Sequence, residues 1–333
     1  MGRRSNSCRR QGLSPSTRRA VAGNQNFGEV QPEGSRSEAR RDATGQWWQS
    51  LVYLSDHRSR HAETATARRR GKDGRMSNYS LPNINHDLSG QVALVTGGTS
   101  GLGWRFTQVL ADAGAIVVPT GRRKERLTEI ARLVEASGGN AHPIVMDTTN
   151  AESIISGVAE AEEVCGTVTI AVNNAGVPDA QRAHKMSIEL IDTVLDTNLR
   201  GPWILACEVA RRLIAAEKPG RIVNIASVAA FNYAGQGAAL YSVSKAAIAR
   251  MSEVLAVEWS RFGINVNCIA PGAFESEMMD GMLERMGDIS QHFPRKRIAN
   301  PAQLDSTLLY LCSPASDAVT GTVIRVDDGQ GSR

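Results

Sequence analysis

Tyr241 and Lys245 stand four residues apart in the stretch AALYSVSKAAI (238–248), among small and apolar neighbours. At 3.6 residues per turn, positions i and i+4 lie one above the other on a helix face. A desolvated ammonium beside a phenol favours the phenolate and draws the tyrosine's pKa down from about 10. A tyrosine so placed can give and take a proton near neutrality. Such a pair also arises by composition alone, so its weight depends on what the rest of the chain places around it.

A second chemical feature lies upstream. VALVT (92–96) is a short β-rich run, GGTSGLG (97–103) follows it, and Leu102, Phe106, Val109 and Leu110 then form a helical stripe. A glycine-rich turn between a strand and a helix lets bare backbone approach a pyrophosphate, and the helix dipole favours the anion. Glycine turns are common; the order strand, loop, helix is what gives this one meaning. The spacing is Thr96-Gly97-xxx-Gly101-x-Gly103. Together with Tyr241 and Lys245 it resembles the short-chain dehydrogenase/reductase family, and the likeness runs along almost all of 88–329. The resemblance implies an α/β fold, a Rossmann-type doubly wound parallel sheet of about seven strands in a single domain. It also implies a nicotinamide cofactor held around Gly97, Thr99, Ser100, Gly101, Leu102 and Gly103.

AIVVPT (115–120) reads as the second strand and runs into GRR. In dinucleotide folds an acid at this strand end accepts from the ribose 2′-hydroxyl, whereas arginine accommodates a 2′-phosphate. Gly121 stands where the acid would be, and Arg122 and Arg123 follow. NADP(H) is therefore the expected cofactor, with NAD(H) the alternative. Pro119 cannot donate to a sheet ladder and has no sequence-level explanation beyond an early strand end. HPIVMDTT (142–149) reads as the third strand, and the resemblance places Asp147 against the adenine. VTIAVNNAGV (168–177) is the fourth, with Asn174, Ala175 and Gly176 assigned by resemblance to backbone contact with the cofactor. DTNLRG (196–201) lies inside a helical pattern and supplies Asn198. GRIVNIASVAA (220–230) is the fifth strand and ends at Ser227. GINVNCIAPGAFESEM (263–278) is the sixth with its turn, where the likeness adds Pro271, Gly272, Phe274 and Ser276 to the cofactor contacts, beside Tyr241 and Lys245 themselves. TGTVIRVDDG (320–329) is the seventh. The family usually has two glycines after the aspartate; here Asp328 and Gly329 follow Asp327, which leaves that turn open.

The resemblance implies a reaction: a ketone and a secondary alcohol interconverted by hydride transfer. Tyr241 would be the general acid or base, and Ser227 would donate to the carbonyl oxygen. Lys245 would lower the tyrosine's pKa and hold the nicotinamide ribose, and Asn198 would hold a water linking Lys245 to solvent. The serious alternative is an NAD-dependent sugar-acid or polyol dehydrogenase. A nicotinamide-binding regulator without catalysis would be marked by loss of the tyrosine or lysine, and both are present. The partner is a small carbonyl or alcohol substrate. The family commonly forms homotetramers or homodimers through the helices holding Asn198 and Tyr241, and Ala246, Ala247, Met251 and Leu255 are compatible with that.

The substrate side is less specific. Met278, Met282 and Met286 share one helix face, as either ordinary packing or an adaptable lid within about 274–300. FPRKR (293–297) clusters Arg295, Lys296 and Arg297, which suits a carboxylate or phosphate but also an ordinary turn. Neither selects among 3-oxoacyl thioesters, sugar acids, steroids and small ketones.

Across 333 residues no apolar run reaches the ~18 residues of a membrane span. The five cysteines (Cys8, Cys165, Cys207, Cys268, Cys312) are scattered and form no CxxC, which fits free thiols in a reducing cytoplasm. No metal site is expected; His57 and His61 have helical ligand spacing but no third ligand nearby. Residues 1–75 carry 15 Arg and one Lys against seven acids, a net of +9, while the remainder is at −5. Such composition reads as a disordered extension. A nucleic-acid arm lacks aromatic interleaving, and a transit peptide should be poor in acids. The favoured reading is that the protein starts at Met76, with 76–333 as the dehydrogenase/reductase domain and no nucleic-acid partner.

Overall fold

The computed structural model describes residues 85–331, apart from 234 and 236. The arginine-rich 1–75, the start at Met76 and the His57–His61 pair lie outside the described residues. In chain order the elements are β1 (Val92–Thr96), α1 (Gly101–Asp112), β2 (Ile116–Gly121), α2 (Lys124–Ala136), β3 (Asn140–Ala141) and β4 (Ile144–Val145). There follow α3 (Ala151–Cys165), β5 (Ile170–Asn173), α4 (Ile188–Leu195), α5 (Gly201–Ala215), β6 (Gly220–Ile225), α6 (Ala239–Trp259), β7 (Ile264–Pro271), α7 (Glu277–Met286), α8 (Asp305–Cys312) and β8 (Val323–Val326).

The strands pair in parallel in the order β3-β2-β1-β5-β6-β7-β8, with β4 also on β2. Parallel neighbours need crossover connections, and those helices cover both faces of the sheet. Side chains alternate between faces along each strand. Val92 and Leu94 of β1 therefore enter one core cluster, with Ile154, Leu205, Leu213 and Leu255 of α3, α5 and α6. Ala93 and Val95 enter the other, with Phe106, Ile130 and Leu308 of α1, α2 and α8. Each such buried Leu, Ile or Phe contributes about 1.5–3 kcal/mol. Two asparagines on β7 face the second side, and each is satisfied: Asn265 Nδ2 donates to Asp317 O and Asn267 Nδ2 to Val319 O, both at 2.8 Å.

The expected third strand differs from what forms. Instead of one run through 142–149, the edge holds two short pieces, β3 and β4, broken at His142–Pro143. This break accounts for Pro119. Val117 and Gly121 turn their carbonyls to that edge, accepting from His142 N at 2.9 Å and Met146 N at 3.0 Å. Pro119, midway between them, faces the same way. Its level falls between the Val117–Ala141 and Thr120–Ile144 pairings, opposite the gap. The missing donor removes no ladder bond. The sheet reverses its order between β1 and β5, which places a crevice outside the carboxyl ends of those strands.

Candidate active site

β1 ends at Thr96, and the chain turns at once into α1. Gly97 and Gly101 take positive φ values of 67° and 51°, a region glycine enters without strain. A Cβ at Gly103 would overlap the Gly97 carbonyl oxygen, so the helix begins hard against the loop. The N-cap residue Ser100 makes no side-chain cap bond, which leaves first-turn N–H groups to serve an anion. Leu102 leans on the core. The cradle is braced from β5: Asn174 Nδ2 donates to Thr96 O at 2.9 Å, and Asn174 N and Ala175 N donate to Thr96 Oγ1 at 3.0 and 3.1 Å. Bare backbone, open donors and a rigid brace fit the pyrophosphate of a dinucleotide. Asp147 lies just past β4, its Oδ1 accepting from Thr149 N and Oγ1 at 3.0 and 2.9 Å.

At the end of β2, Gly121 leaves only enough room for hydrogen: a Cβ would lie 2.8 Å from Thr99 Cγ2. Arg122 is exposed beside it. Arg123 folds over Thr99, with Nε and Nη2 donating to Thr99 Oγ1 at 3.3 and 3.2 Å. Its Nη1 donates to Glu277 Oε1 at 3.2 Å. Arg123 and Ser100 together hold the Glu277 carboxyl below the usual carboxylate range. Glu277, in the first turn of α7, was invisible to motif reading because its partners lie 154 residues away.

The carboxyl end of β6 and the start of α6 carry Ser227, Tyr241 and Lys245. Ser227 is extended after β6, and its Oγ accepts from Ala229 N at 3.1 Å to open a short 3-10 turn. Tyr241 sits in the first turn of α6, partly buried. Lys245, one turn on, is buried, and its Nζ donates to Ile225 O at 2.8 Å while lying 5.7 Å from the Tyr241 ring centroid. Burial lowers the Lys245 ammonium to about 8. Neighbouring Cys268 is itself pushed up to about 11 by burial and stays a thiol at neutral pH. Burial also raises the Tyr241 phenol; hydrogen bonding with Ser227 pulls it back, and the Asp179 charge raises it further. The expected lowering of the tyrosine by Lys245 is therefore not what these protein groups produce. The lysine is turned to the Ile225 carbonyl, and burial dominates the shift of the phenol.

Asn198 joins this group through an irregularity. After α4 the helix passes through a π-helical segment, Asp196–Arg200, before α5, a geometry that disturbs the regular hydrogen-bond ladder and recurs at functional sites. The Asn198 side chain is fully engaged. Its Oδ1 accepts from Val177 N at 2.8 Å, and its Nδ2 donates to Val177 O at 2.9 Å and Ser244 Oγ at 3.2 Å. Gly176 lies between: a Cβ there would stand 3.3 Å from Lys245 Nζ and 3.4 Å from Asn198 Oδ1. The structure thus brings Gly176, Asn198, Ser227, Tyr241 and Lys245 to one place. It also adds Asp179, whose buried carboxylate accepts from Leu240 N and Tyr241 N.

Beyond β7, a Cβ at Gly272 would lie 2.6 Å from Gln330 Oε1 and 2.9 Å from Asp327 Cα, so Pro271–Gly272 turns tightly against the segment that follows β8. Phe274 puts its side chain in the core, and its backbone pairs with Ala299. Ser276 caps α7, accepting from Met279 N at 3.2 Å. No residue of α7 is buried, so its methionines are not core residues. In the 293–297 cluster, Arg295 and Arg297 are held by Asp328 at 3.3 and 2.7 Å. That pairing explains the turn left open in sequence: Asp328 takes a positive φ of 51° where a glycine is usual, and two cations hold it there. Among the described residues, no three His, Cys, Asp or Glu side chains are grouped to hold a metal, and no helix is long and apolar enough to cross a membrane. Gly103→Ala is expected to weaken nicotinamide-cofactor binding by roughly tenfold or more, because the methyl must displace a loop carbonyl. Fluorescence titration checks it, and an unchanged Kd would remove the cofactor from this cradle.

Residues 97–330 match the protein family described as enoyl-(acyl carrier protein) reductase. The chain is 35% identical to a gluconate 5-dehydrogenase of Gluconobacter oxydans, over 73% of this chain and 95% of that protein. It is 33% identical to a 3-oxoacyl-acyl-carrier-protein reductase of Aquifex aeolicus, over 73% and 98%. Among solved structures, a variant of actinorhodin polyketide ketoreductase with NADPH superimposes with a TM-score of 0.70 at 30% identity, covering 74% of this chain and all (100%) of that one. A gluconate 5-dehydrogenase from Burkholderia cenocepacia in complex with NADP and tartrate gives 0.70 at 29%, covering 74% and 98%. With its glycine cradle, its Tyr–Lys helix turn and these relatives, the chain belongs to the short-chain dehydrogenase/reductase family and is an NAD(P)-dependent oxidoreductase.

Proposed function

We propose that the protein interconverts a ketone and a secondary alcohol using NADP(H), with Tyr241 as general acid and base. The observation that carries this reading is the meeting of Ser227, Tyr241 and Lys245 beyond the carboxyl end of β6, with only β5 between them and the strand that carries the glycine cradle. When bound, the cofactor supplies the hydride, and that chemistry is its own. Ser227 and Tyr241 direct their hydroxyls to one carbonyl oxygen, where charge develops. Tyr241 delivers its proton to that oxygen in reduction and removes it in oxidation. A phenol raised by burial keeps its proton at neutral pH and so begins the reductive step as the donor. Lys245 contributes positive charge beneath the phenol and a donor for the nicotinamide ribose. Since the Asn198 side chain is spent on Val177 and Ser244, its main-chain carbonyl in the π segment is the group left to hold a water leading from Lys245 to solvent.

Cofactor choice rests on Gly121 and Arg122. Arg123 is already engaged by Glu277, so Arg122 is the principal cation for a 2′-phosphate. The segment 274–300 with exposed α7 forms a lid whose methionine face adapts to the substrate. The relatives' names support both a sugar acid and a 3-oxoacyl thioester as substrate class, and only a substrate panel separates them. For assembly, Met251 and Leu255 turn out to be core residues. Trp203, Val254 and Val257 instead present an exposed apolar face on α5 and α6, with Val257 79% exposed. A shallow groove of about 450 Å³ lined by Leu199, Trp203 and Val254 continues that face. We read it as the homo-oligomer contact, giving a dimer or tetramer. The four described cysteines are free, consistent with a cytoplasmic setting.

Tyr241→Phe is expected to lower turnover by about 10²-fold or more while leaving cofactor binding intact. Activity within tenfold of wild type, across a panel of 3-oxoacyl thioesters, keto-sugar acids and cyclic ketones, would sink the assignment. Arg122→Ala removes charge-assisted hydrogen bonds worth about 1.5–3 kcal/mol, so the Kd for NADPH should rise roughly ten- to a hundredfold. The Kd for NADH should stay put, and equal losses for both would argue against a 2′-phosphate contact. Lys245 is charged below about 8 and neutral above it. Reductive kcat/KM should accordingly fall as pH rises through about 8, and a flat profile from acid to alkaline pH would remove the lysine's charge from the mechanism.

A further inference from the structure

We propose that Asp179 is a positioning residue for the reaction: from the loop after β5, its buried carboxylate closes the N-terminus of α6, fixes the turn carrying Tyr241, and opposes the charge of Lys245 at the phenol. This inference rests on the reading of Tyr241 as acid and base. The helix needs such a residue. Its N-cap position is Ala238, which has no side chain able to cap, and every helix start leaves backbone N–H groups without intrahelical partners. Asp179 supplies the acceptor from 61 residues upstream. Its Oδ2 accepts from Leu240 N at 2.9 Å and Tyr241 N at 3.2 Å, and its Oδ1 from Ala180 N at 2.8 Å.

The carboxylate is only 3% exposed, and a buried charge persists only where hydrogen bonds and opposite charge offset its desolvation. Three backbone donors and the positive end of α6 do so here. The chain accepts strain to keep the contact. Ala180 takes a φ of 49°, a left-handed conformation that alanine rarely adopts. A parallel bridge between Gln181 and Ala238 then ties the loop to the helix start. Two residues before Asp179, Asn198 grips Val177 from the other side. The loop is therefore fastened twice to the elements that carry the reactive groups.

Among the described residues, three groups act on the phenol. Lys245 approaches from its own helix, Asp179 from the β5 loop, and the uncharged Ser227 hydroxyl from the end of β6. Asp179 favours the neutral phenol and Ser227 the ionised one. Asparagine or serine at 179 keeps an acceptor oxygen and removes the charge, whereas alanine removes both.

The test is a phenolate titration of the full chain by ultraviolet difference spectra, with Tyr241→Phe subtracted to isolate Tyr241; it needs no substrate. In D179N and D179S the Tyr241 midpoint should move to lower pH by roughly half a unit or more. NADPH binding by fluorescence should persist in both. D179A should show the same shift together with a lower Tm than D179N, because the cap is gone as well. A midpoint unchanged in both neutral variants overturns the proposal. So does loss of the fold in both, which would assign Asp179 to folding alone. If Tyr241→Phe retains turnover, the acid–base reading fails while the titration result stands, so the two failures are distinguishable.

Discussion

The hydroxyl of Thr96 is the point on which the site turns. It lies at the end of β1, where the sheet reverses its order, and it reaches across to β5. Thr96 Oγ1 donates to Val172 O at 3.3 Å and accepts from Asn174 N and Ala175 N. Parallel strands at a reversal send their helices to opposite faces, so their following loops part and leave a crevice. Without a fastener, the loops bounding that crevice would be held only at their strand ends. The threonine, with Asn174 Nδ2 on Thr96 O, makes the glycine cradle and the Asn174–Gly176 turn one rigid piece.

From that piece the geometry passes to the reactive helix by short polar steps. Gly176 sets the spacing to Lys245 and Asn198, Asn198 binds Val177 and Ser244, and Ser244 Oγ donates to Tyr241 O at 2.8 Å. Asn198, Ser244 and Lys245 are buried, so an unmade hydrogen bond at any of them would cost about 1–3 kcal/mol. The network therefore specifies a single arrangement, and the apolar clusters on the two sheet faces only need to hold its elements at fixed height. Asp179 extends the same logic to the helix terminus.

What was legible in the sequence was what local sterics dictate. Gly97, Gly101 and Gly103 could be read because the turn itself demands them, the first two for their positive φ and the third to clear the Gly97 carbonyl. β1 matched its expected bounds because five consecutive residues are buried and its neighbours on both sides are central strands. Illegible features depended on distant partners. Pro119 is tolerated because of a gap at Pro143, and Asp328 stands in a glycine's conformation because Arg295 and Arg297 hold its carboxylate. Asp179 and Glu277 act across 61 and 154 residues. The Tyr–Lys spacing was visible, but that Nζ would turn to Ile225 O was not, since it depends on where β6 ends.

That last point bears on direction of reaction. Within the protein's own groups, burial drives the tyrosine and the lysine each toward its neutral form, the phenol upward and the ammonium down to about 8. Two desolvated partners of opposite polarity do not automatically make an ion pair; the Lys245 ammonium lies 5.7 Å from the ring centroid, and burial raises the phenol and lowers the ammonium. The protein alone thus presents a phenol that keeps its proton at neutral pH, with a lysine poised near its titration point beneath it. A proton donor with a replenishable neighbour suits protonation of a nascent alkoxide. Running the site as a base requires further positive charge near the phenol, and the protein's own contribution to that, Lys245, is strongest below about pH 8, where the tyrosine is least inclined to ionise. Under the acid–base role proposed for Tyr241, these electrostatics suit the proton-donating step, a bias that no spacing of residues could reveal.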